Sequence, residues 1–172
     1  SSLFTGTRPA QTYLDYALLN LIAYAPEDCN LDESLKRSNI ESLSFDLHEL
    51  TELPSFFSSF SRLVILSLIN CVSLQNLDVL VNLTNLTSLN LSRCFQNLDV
   101  LANFTNLTNL MVSSNSLQNV DALTNLTNLN ELYVHANNFA VKPVNEKMST
   151  RKKVSEYQDK IRFVMALRDG NT

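Results

Sequence analysis

Two histidines are the side chains of this sequence best suited to proton transfer near neutral pH, and they lie far apart in the chain. His48 falls at a predicted turn, whereas Glu131 and His135 share one face of a predicted strand. No cysteine or serine is placed to complete a catalytic triad with them, and the nucleophile-elbow, zinc-protease and phosphate-loop motifs are missing. Gly6 and Gly170 are the only glycines, so no glycine-rich phosphate loop is possible. The sequence predicts that the protein is not an enzyme.

The cysteines and aspartates are the residues that could support metal binding or redox chemistry. Cys29, Cys71 and Cys94 are odd in number and have no CxxC spacing, which favours a reducing compartment over a disulfide scaffold. Three aspartates recur at intervals of 21 and 22 residues, namely Asp78, Asp99 and Asp121. That spacing matches no compact calcium loop, so we expect these carboxylates to cap short helical turns instead. No cofactor and no metal are expected.

Six N-x-[ST] sequences raise the question of glycosylation in a secreted protein. They begin at Asn82, Asn85, Asn90, Asn103, Asn106 and Asn125. Two pairs of these asparagines are only three residues apart, where two bulky glycans would crowd each other. Their regular recurrence instead favours a structural origin in a repeated unit. Glycosylation remains the alternative.

The charge of the chain is low and uneven. Only 17% of the residues are charged and 45% are apolar, and a chain of this composition can build one domain with a sizeable core. The net charge is −4, but residues 142–172 carry 8 basic and 4 acidic side chains. This basic end is interpreted as a solvated helix, with electrostatic steering of a partner as the alternative. Direct nucleic-acid binding is not expected, since aromatic interleaving and RNA-binding signatures are missing.

A pattern of the form L-x-x-L-x-L-x-x-N/C recurs through the middle of the chain. It starts at positions 40, 63, 86, 107 and 129, so its period of 21 to 23 residues is that of leucine-rich repeats. Each unit predicts a short strand with inward-facing leucines and a return segment that stacks on the next unit. The ninth residues, expected to satisfy backbone groups in the turn, are His48, Cys71, Cys94, Asn115 and Asn137. The pattern predicts an α/β solenoid with about five parallel strands.

The segments on either side of the repeats are expected to cover the exposed ends of the core. Residues 1–39 contain an apolar pattern of helical spacing and predict a helical N-terminal cap, with a membrane-surface helix as the alternative. Residues 40–139 hold the repeats, and residues 140–172 predict a helical C-terminal cap with Ser149 as its N-cap. The apolar face of that helix is predicted from Val154, Tyr157, Ile161, Val164 and Met165. All three parts are expected to form one folded domain.

The stretch LDVLVNLTNLTSLNLS, residues 77–92, resembles the 22-residue class of leucine-rich repeats found in a protein phosphatase regulatory subunit and in bacterial internalins. The resemblance covers residues 40–139 and implies a short horseshoe with a parallel sheet on its concave side. Repeats of this kind recognise many unrelated partners, so the resemblance implies a fold rather than a function. The stretch from Tyr157 to Gly170 is similar to the C-terminal cap of eukaryotic intracellular leucine-rich-repeat proteins, although Arg168 interrupts its usual ending.

Alternation along each predicted strand turns the third, fifth and seventh repeat positions toward the concave face. Most residues there are small and polar, but Ile65 and Ile69 are apolar, and Met111 and Tyr133 follow on later strands. Met and aromatic residues are enriched in interface cores, whereas isolated surface hydrophobic residues need no special explanation. We predict a partner-binding site made of Ile65, Ile69, Asn90, Met111, Tyr133 and His135.

The function predicted from these features is a non-catalytic scaffold that binds a protein partner through the concave face. We expect a monomer without a small-molecule substrate, without a membrane-spanning segment, and located in the cytoplasm or nucleus. One alternative is a ribonucleoprotein subunit resembling the splicing A-prime protein, whose repeats hold an RNA-binding partner. Another is a secreted effector or adhesin of the internalin type. A signal segment or attached glycans would favour this alternative.

Overall fold

A computed structural model of the protein describes residues 40–46, 51–53, 55–74, 77–93, 99–113 and 117–170. Within these ranges the chain is a stack of repeats followed by one long helix. The predicted N-terminal cap, residues 1–39, lies outside the described residues. The same holds for four single residues discussed above: Cys29, His48, Cys94 and Asn115.

One sheet of six strands runs through the stack in chain order. Its strands are β1 (Ser42–Asp46), β2 (Ile65–Ile69), β3 (Ser88–Asn90), β4 (Asn109–Met111), β5 (Glu131–Tyr133) and β6 (Lys147–Met148). The first five pair in parallel, each at the same repeat position as its neighbour. This confirms the parallel sheet of an α/β solenoid with one strand per repeat, while the horseshoe curvature stays a prediction.

The inward-facing repeat positions form a continuous core behind the sheet. Four leucines that lie side by side on successive strands are at most 1% exposed: Leu66, Leu89, Leu110 and Leu132. Leu83, Phe104 and Leu126 of the return segments are buried as well, as their spacing predicts. Burial of one such side chain stabilises the fold by about 1.5–3 kcal/mol. A single short repeat cannot supply that burial, so neighbouring repeats supply it to each other.

Short 3-10 helices make up part of the return segments. They span Ser55–Ser59, Asp78–Leu80, Asp99–Asn103 and Asp121–Asn125. The prediction that aspartates cap them is wrong for Asp78 and Asp121, because each is the first helical residue and the cap positions are Leu77 and Val120. A side-chain cap comes from the residue before the helix, and an apolar residue cannot provide one. The Asp121 carboxylate instead accepts a hydrogen bond from Arg168 at 2.7 Å.

Two of the five ninth repeat positions, Cys71 and Asn137, lie among the described residues, and both contact backbone groups of their turns. The Asn137 side-chain amide donates to the carbonyls of Val112 and Val134 at 2.7 and 3.0 Å. Its Oδ1 accepts from the Leu117 N–H at 3.1 Å. Cys71 occupies the same position three repeats earlier, where it is buried with its Sγ 3.6 Å from a carbonyl of its own turn. Cys71 is therefore accounted for as a structural residue.

A ladder of side-chain amides explains the recurrence of the NLT segments. Asn85, Asn106 and Asn128 each donate to a backbone carbonyl of the preceding repeat, at 2.8–2.9 Å. Asn85 and Asn106 both begin an N-x-[ST] sequence. The repeat itself therefore requires asparagine at these positions, whether or not a glycan is attached.

The helix α1 (Arg151–Arg168) follows the last repeat. Its N-cap is Thr150, whose Oγ1 accepts a hydrogen bond from the Lys153 N–H at 3.2 Å, so the prediction of Ser149 was wrong by one residue. Thr150 has the extended backbone that an N-cap needs, which lets its hydroxyl reach the third helical residue. Val164 is 37% exposed, so its predicted place on the buried face of the helix is also wrong.

The inner face of α1 contacts the return segment before β5 through a buried glutamine. Gln158 is fully buried, and its Nε2 donates to the carbonyls of Leu123 and Leu126, both at 2.8 Å. Its Oε1 accepts from the Arg151 guanidinium at 2.9 Å. The apolar residues of this face are Val154, Tyr157 and Ile161, all buried. These contacts support the proposal that α1 caps the C-terminal end of the core.

Candidate protein-binding site

The outward side of β1–β5, here called the sheet face, collects one set of residues from every repeat. The parallel register aligns Ser67, Asn90, Met111 and Tyr133 in its middle row. Adjacent strands are about 4.8 Å apart. Exposure alternates along the strands, with the outward residues half-buried or exposed and the inward ones buried. All six residues of the predicted site lie on this face, with His135 two positions beyond Tyr133 and exposed.

A small apolar island lies on β2. Ile65 is 46% exposed, and Ile69 is half-buried on the other side of Ser67. The register places Ser42 and Ser88 on either side of Ile65. Ile65 thus lies between two small polar residues, which leaves its side chain accessible to a partner, while Ile69 is the register partner of Asp46.

Asn90 separates this island from the later part of the site. Its Oδ1 accepts a hydrogen bond from the Ser92 N–H at 3.0 Å, so one of its polar groups is already used within the chain. β2 and β5 are three strand spacings apart, which corresponds to about 14 Å. The six predicted residues therefore share one face but fall into two groups rather than one continuous stripe.

The second group is centred on the tyrosine of β5. Met111 and Tyr133 are register partners on β4 and β5. The Tyr133 hydroxyl donates to the Glu131 carboxylate at 3.1 Å, and the Lys147 ammonium lies 5.4 Å from the centre of its ring. An ammonium at that distance over an aromatic face is attracted by the ring. These two contacts hold the ring in place on the sheet face.

Residues 143–147, here called the ridge, lie beside β5 and were missed by the sequence analysis. β6 pairs antiparallel with β5, and the Val134 N–H donates to the Glu146 carbonyl at 2.9 Å. The Glu146 carboxylate lies 2.8 Å from Nδ1 of His135. Val144 is fully exposed on the ridge. The sequence carried no usable signal for this arrangement, because a two-residue strand has no measurable periodicity.

A groove of about 710 Å³ runs between the ridge and the sheet face, and we call it the end groove. Its lining consists of Met111, Ser113, Tyr133, His135 and the five ridge residues. Three of the six predicted site residues thus come together around one concavity. The other three, on β2 and β3, are not among its lining residues.

Four polar side chains of the site form two separate pairs. His135 pairs with Glu146, whereas the Glu131 carboxylate accepts a hydrogen bond from Tyr133. His135 and Glu131 therefore bind different side chains. In the part of the chain that the structure describes, no cluster of three or more His, Cys, Asp or Glu residues could hold a metal ion. What the face offers is accessible apolar area with hydrogen-bonding groups beside it.

Most basic side chains of α1 contact acceptors within the protein. The Arg151 and Arg162 guanidiniums donate to backbone carbonyls at 2.6 and 2.9 Å. Arg168 binds Asp121, and this hydrogen bond, together with the charge of the carboxylate, raises the pKa of the guanidinium. Lys152 and Lys153 are exposed and have no partner among the described residues. The arginines that would be best suited to phosphate binding are therefore already engaged.

Comparison with known proteins finds likenesses among solved structures, one of which is described here. No protein-family model matches the chain, and no curated protein sequence matches it either. Internalin C2 from Listeria monocytogenes is similar to 59% of this chain at 25% identity, with a TM-score of 0.47. The matched part is 44% of the internalin chain. The leucine-rich-repeat type of the fold rests on the strands and buried leucines described above, not on this likeness.

None of the described helices combines the length and the apolar character that crossing a membrane requires.

Proposed function

We propose that this protein is a non-catalytic scaffold that binds a protein partner on its sheet face, with the end groove at the centre of the contact. The observation that carries the proposal is the pairing of Met111 with Tyr133 inside a groove of about 710 Å³. Tyr and Met are enriched at the cores of protein interfaces. Because Lys147 and Glu131 already hold the tyrosine ring, little side-chain entropy is lost when a partner covers it.

The dimensions of the sheet face suit one secondary-structure element of a partner. Five strands at about 4.8 Å spacing give a face roughly 19 Å wide, enough for one helix of about 10 Å diameter or for one loop. An element seated in the end groove and running across the strands reaches Ile65 and Ile69 on β2. The isoleucines would then form a second anchor. The same proposal takes the protein to act as a monomer inside the cell.

The test is affinity capture with the wild-type chain, followed by titration of the captured partner after purification. Two variants probe the two groups: Met111→Glu with Tyr133→Ala for the end groove, and Ile65→Glu with Ile69→Glu for β2. Truncation of a hot-spot residue costs about 2 kcal/mol or more. If Met111 and Tyr133 are such residues, the first variant weakens the affinity at least tenfold. The β2 variant is expected to weaken it by a smaller factor.

The matched control is Val72→Glu, which introduces the same charge at a residue that is 59% exposed and not on a strand. It should leave the affinity within about twofold, since surface substitutions away from an interface have small effects. Circular dichroism must show that all variants keep the wild-type spectrum. A partner that binds folded end-groove and β2 variants as tightly as the wild type would refute the proposal.

A further inference from the structure

A second concavity lies on the other side of the ridge, between the ridge and α1. We call it the helix–loop cleft; it is lined by Val144, Asn145, Met148, Lys153, Glu156, Tyr157 and Lys160. Its floor is apolar, since Met148 and Tyr157 contribute side chains that are otherwise buried. The Tyr157 hydroxyl donates to the Val141 carbonyl at 2.6 Å, which fixes the ring and turns its polar end away from any ligand.

The size of the cleft limits what it can hold. Its volume is about 290 Å³, at the lower limit of about 300 Å³ for pockets that enclose a whole small-molecule ligand. It is much smaller than the end groove. A space of this size with an apolar floor fits one bulky apolar side chain rather than a complete ligand.

The rim of the cleft carries an excess of positive charge. Lys153 and Lys160 face one carboxylate, Glu156, on the same helix. The side-chain ammonium of Lys153 has no partner among the described residues. Lys160 donates to the backbone carbonyl of Lys142 at 2.7 Å, which is a neutral acceptor. An ammonium has three donors, and the contact of Lys160 uses one of them. The rim therefore favours a group that brings negative charge.

The cleft adjoins the proposed binding face. Val144 and Asn145 line both the helix–loop cleft and the end groove, and only the ridge separates the two. We propose that the helix–loop cleft binds a bulky apolar side chain of the partner that is directly followed by acidic residues. This inference rests on the proposed function, because it extends the same partner from the end groove across the ridge. The acidic residues contact Lys153 and Lys160, while the apolar side chain covers Met148 and Tyr157.

The test uses the full chain and a defined probe, a short blocked peptide with one leucine followed by two aspartates. The three methionines of the chain serve as reporters by methyl NMR: Met148 for the cleft, Met111 for the end groove and Met165 for the rest of α1. We expect a saturable shift of the Met148 signal at millimolar peptide or below. Replacing the leucine of the peptide by alanine should weaken binding about tenfold, in line with the loss of a buried apolar side chain.

Charge is tested on both molecules. Asparagines in place of the peptide aspartates should weaken binding about threefold, and Lys153→Ala should have an effect of similar size, as expected for exposed ion pairs. The matched control is Lys152→Ala, which removes an adjacent lysine that does not line the cleft and should change nothing. No saturable Met148 shift, or equal binding of the neutral peptide, would overturn the inference.

Two further outcomes keep this inference separate from the proposed function and from membrane binding. If the purified partner shifts Met111 but never Met148, the cleft inference fails while the proposed function stands. If the peptide shifts Met148 and no partner shifts Met111, the proposed function fails instead. Binding of phosphatidylserine-containing vesicles that Lys153→Ala abolishes, without any effect of the peptide, would assign the cleft to a lipid surface and overturn the inference.

Discussion

At the scale of single residues, the turns after the strands hold non-glycine residues in a left-handed backbone conformation. Asn70, Arg93 and Ala136 have φ values of 59°, 59° and 56°, and each directly precedes the ninth position of its repeat. Asparagine tolerates this region, whereas arginine and alanine do so at a cost of about 1–2 kcal/mol. The repeated geometry shows that the turn imposes the conformation, not the residue that happens to occupy it.

Replacing Ala136 by glycine should therefore stabilise the protein. Glycine adopts a positive φ without steric cost, although it loses more entropy on folding. We expect Ala136→Gly to raise the free energy of unfolding by about 0.5–1 kcal/mol, measured from denaturant midpoints. Ala166→Gly in the last turn of α1 makes the same chemical change and should lower it by up to about 1 kcal/mol. A decrease in the free energy of unfolding for Ala136→Gly as well would show that Ala136 carries no backbone strain in this turn.

At the scale of elements, the contact between α1 and the loop before β6 makes stability depend on pH in the alkaline range. Burial of the Tyr157 hydroxyl raises its pKa above the usual value of about 10. The folded state then keeps its proton at a pH where the unfolded chain releases it. The contribution of Tyr157 is complete below pH ~10 and is lost as the pH rises above that value, by up to about 1.4 kcal/mol per pH unit.

Tyr157→Phe should separate this effect from the titration of other groups. At neutral pH the variant should lose about 1 kcal/mol, because the hydrogen bond to the Val141 carbonyl is missing. Above pH ~10 its free energy of unfolding should fall less steeply than that of the wild type, since the phenol that titrates is gone. Urea midpoints at several alkaline pH values give both slopes. Parallel slopes would mean that Tyr157 titrates alike in the folded and unfolded chain.

The elements also show how far the sequence determines the fold and the site. The repeat period located β1–β5 and the inward leucines, because each repeat obeys the same pattern of burial. It also placed Ile65, Met111 and Tyr133 on one face, since strand alternation is a local property. It could not place Lys147 over Tyr133, nor Glu146 beside His135. Those contacts depend on β6, whose pairing is decided by tertiary structure alone.

At the scale of the whole molecule, the stack joins each repeat only to its neighbours, so a disturbance at one end should fade along it. The strands follow each other in chain order across the sheet. In such one-dimensional assemblies, stability is the sum of repeat terms and nearest-neighbour interfaces. The inner face of α1 contacts only the last part of the described stack, including the buried carbonyls of Leu123 and Leu126. Loss of α1 should therefore act first on β5.

Truncation after Thr150 tests this expectation by native-state hydrogen exchange. Without α1 the Leu123 and Leu126 carbonyls lose Gln158 but become open to water, so the cost of the truncation comes mainly from the apolar core that it exposes. The amides of Leu132 in β5 and of Val134, directly after β5, should then exchange at least tenfold faster, while the β2 amides change least. Leu167→Ser, at a side chain that is 50% exposed, is the control and should leave every amide as in the wild type. Equal acceleration of β2 and β5 would show instead that the stack opens as a single unit, and that α1 stabilises the entire solenoid rather than its end.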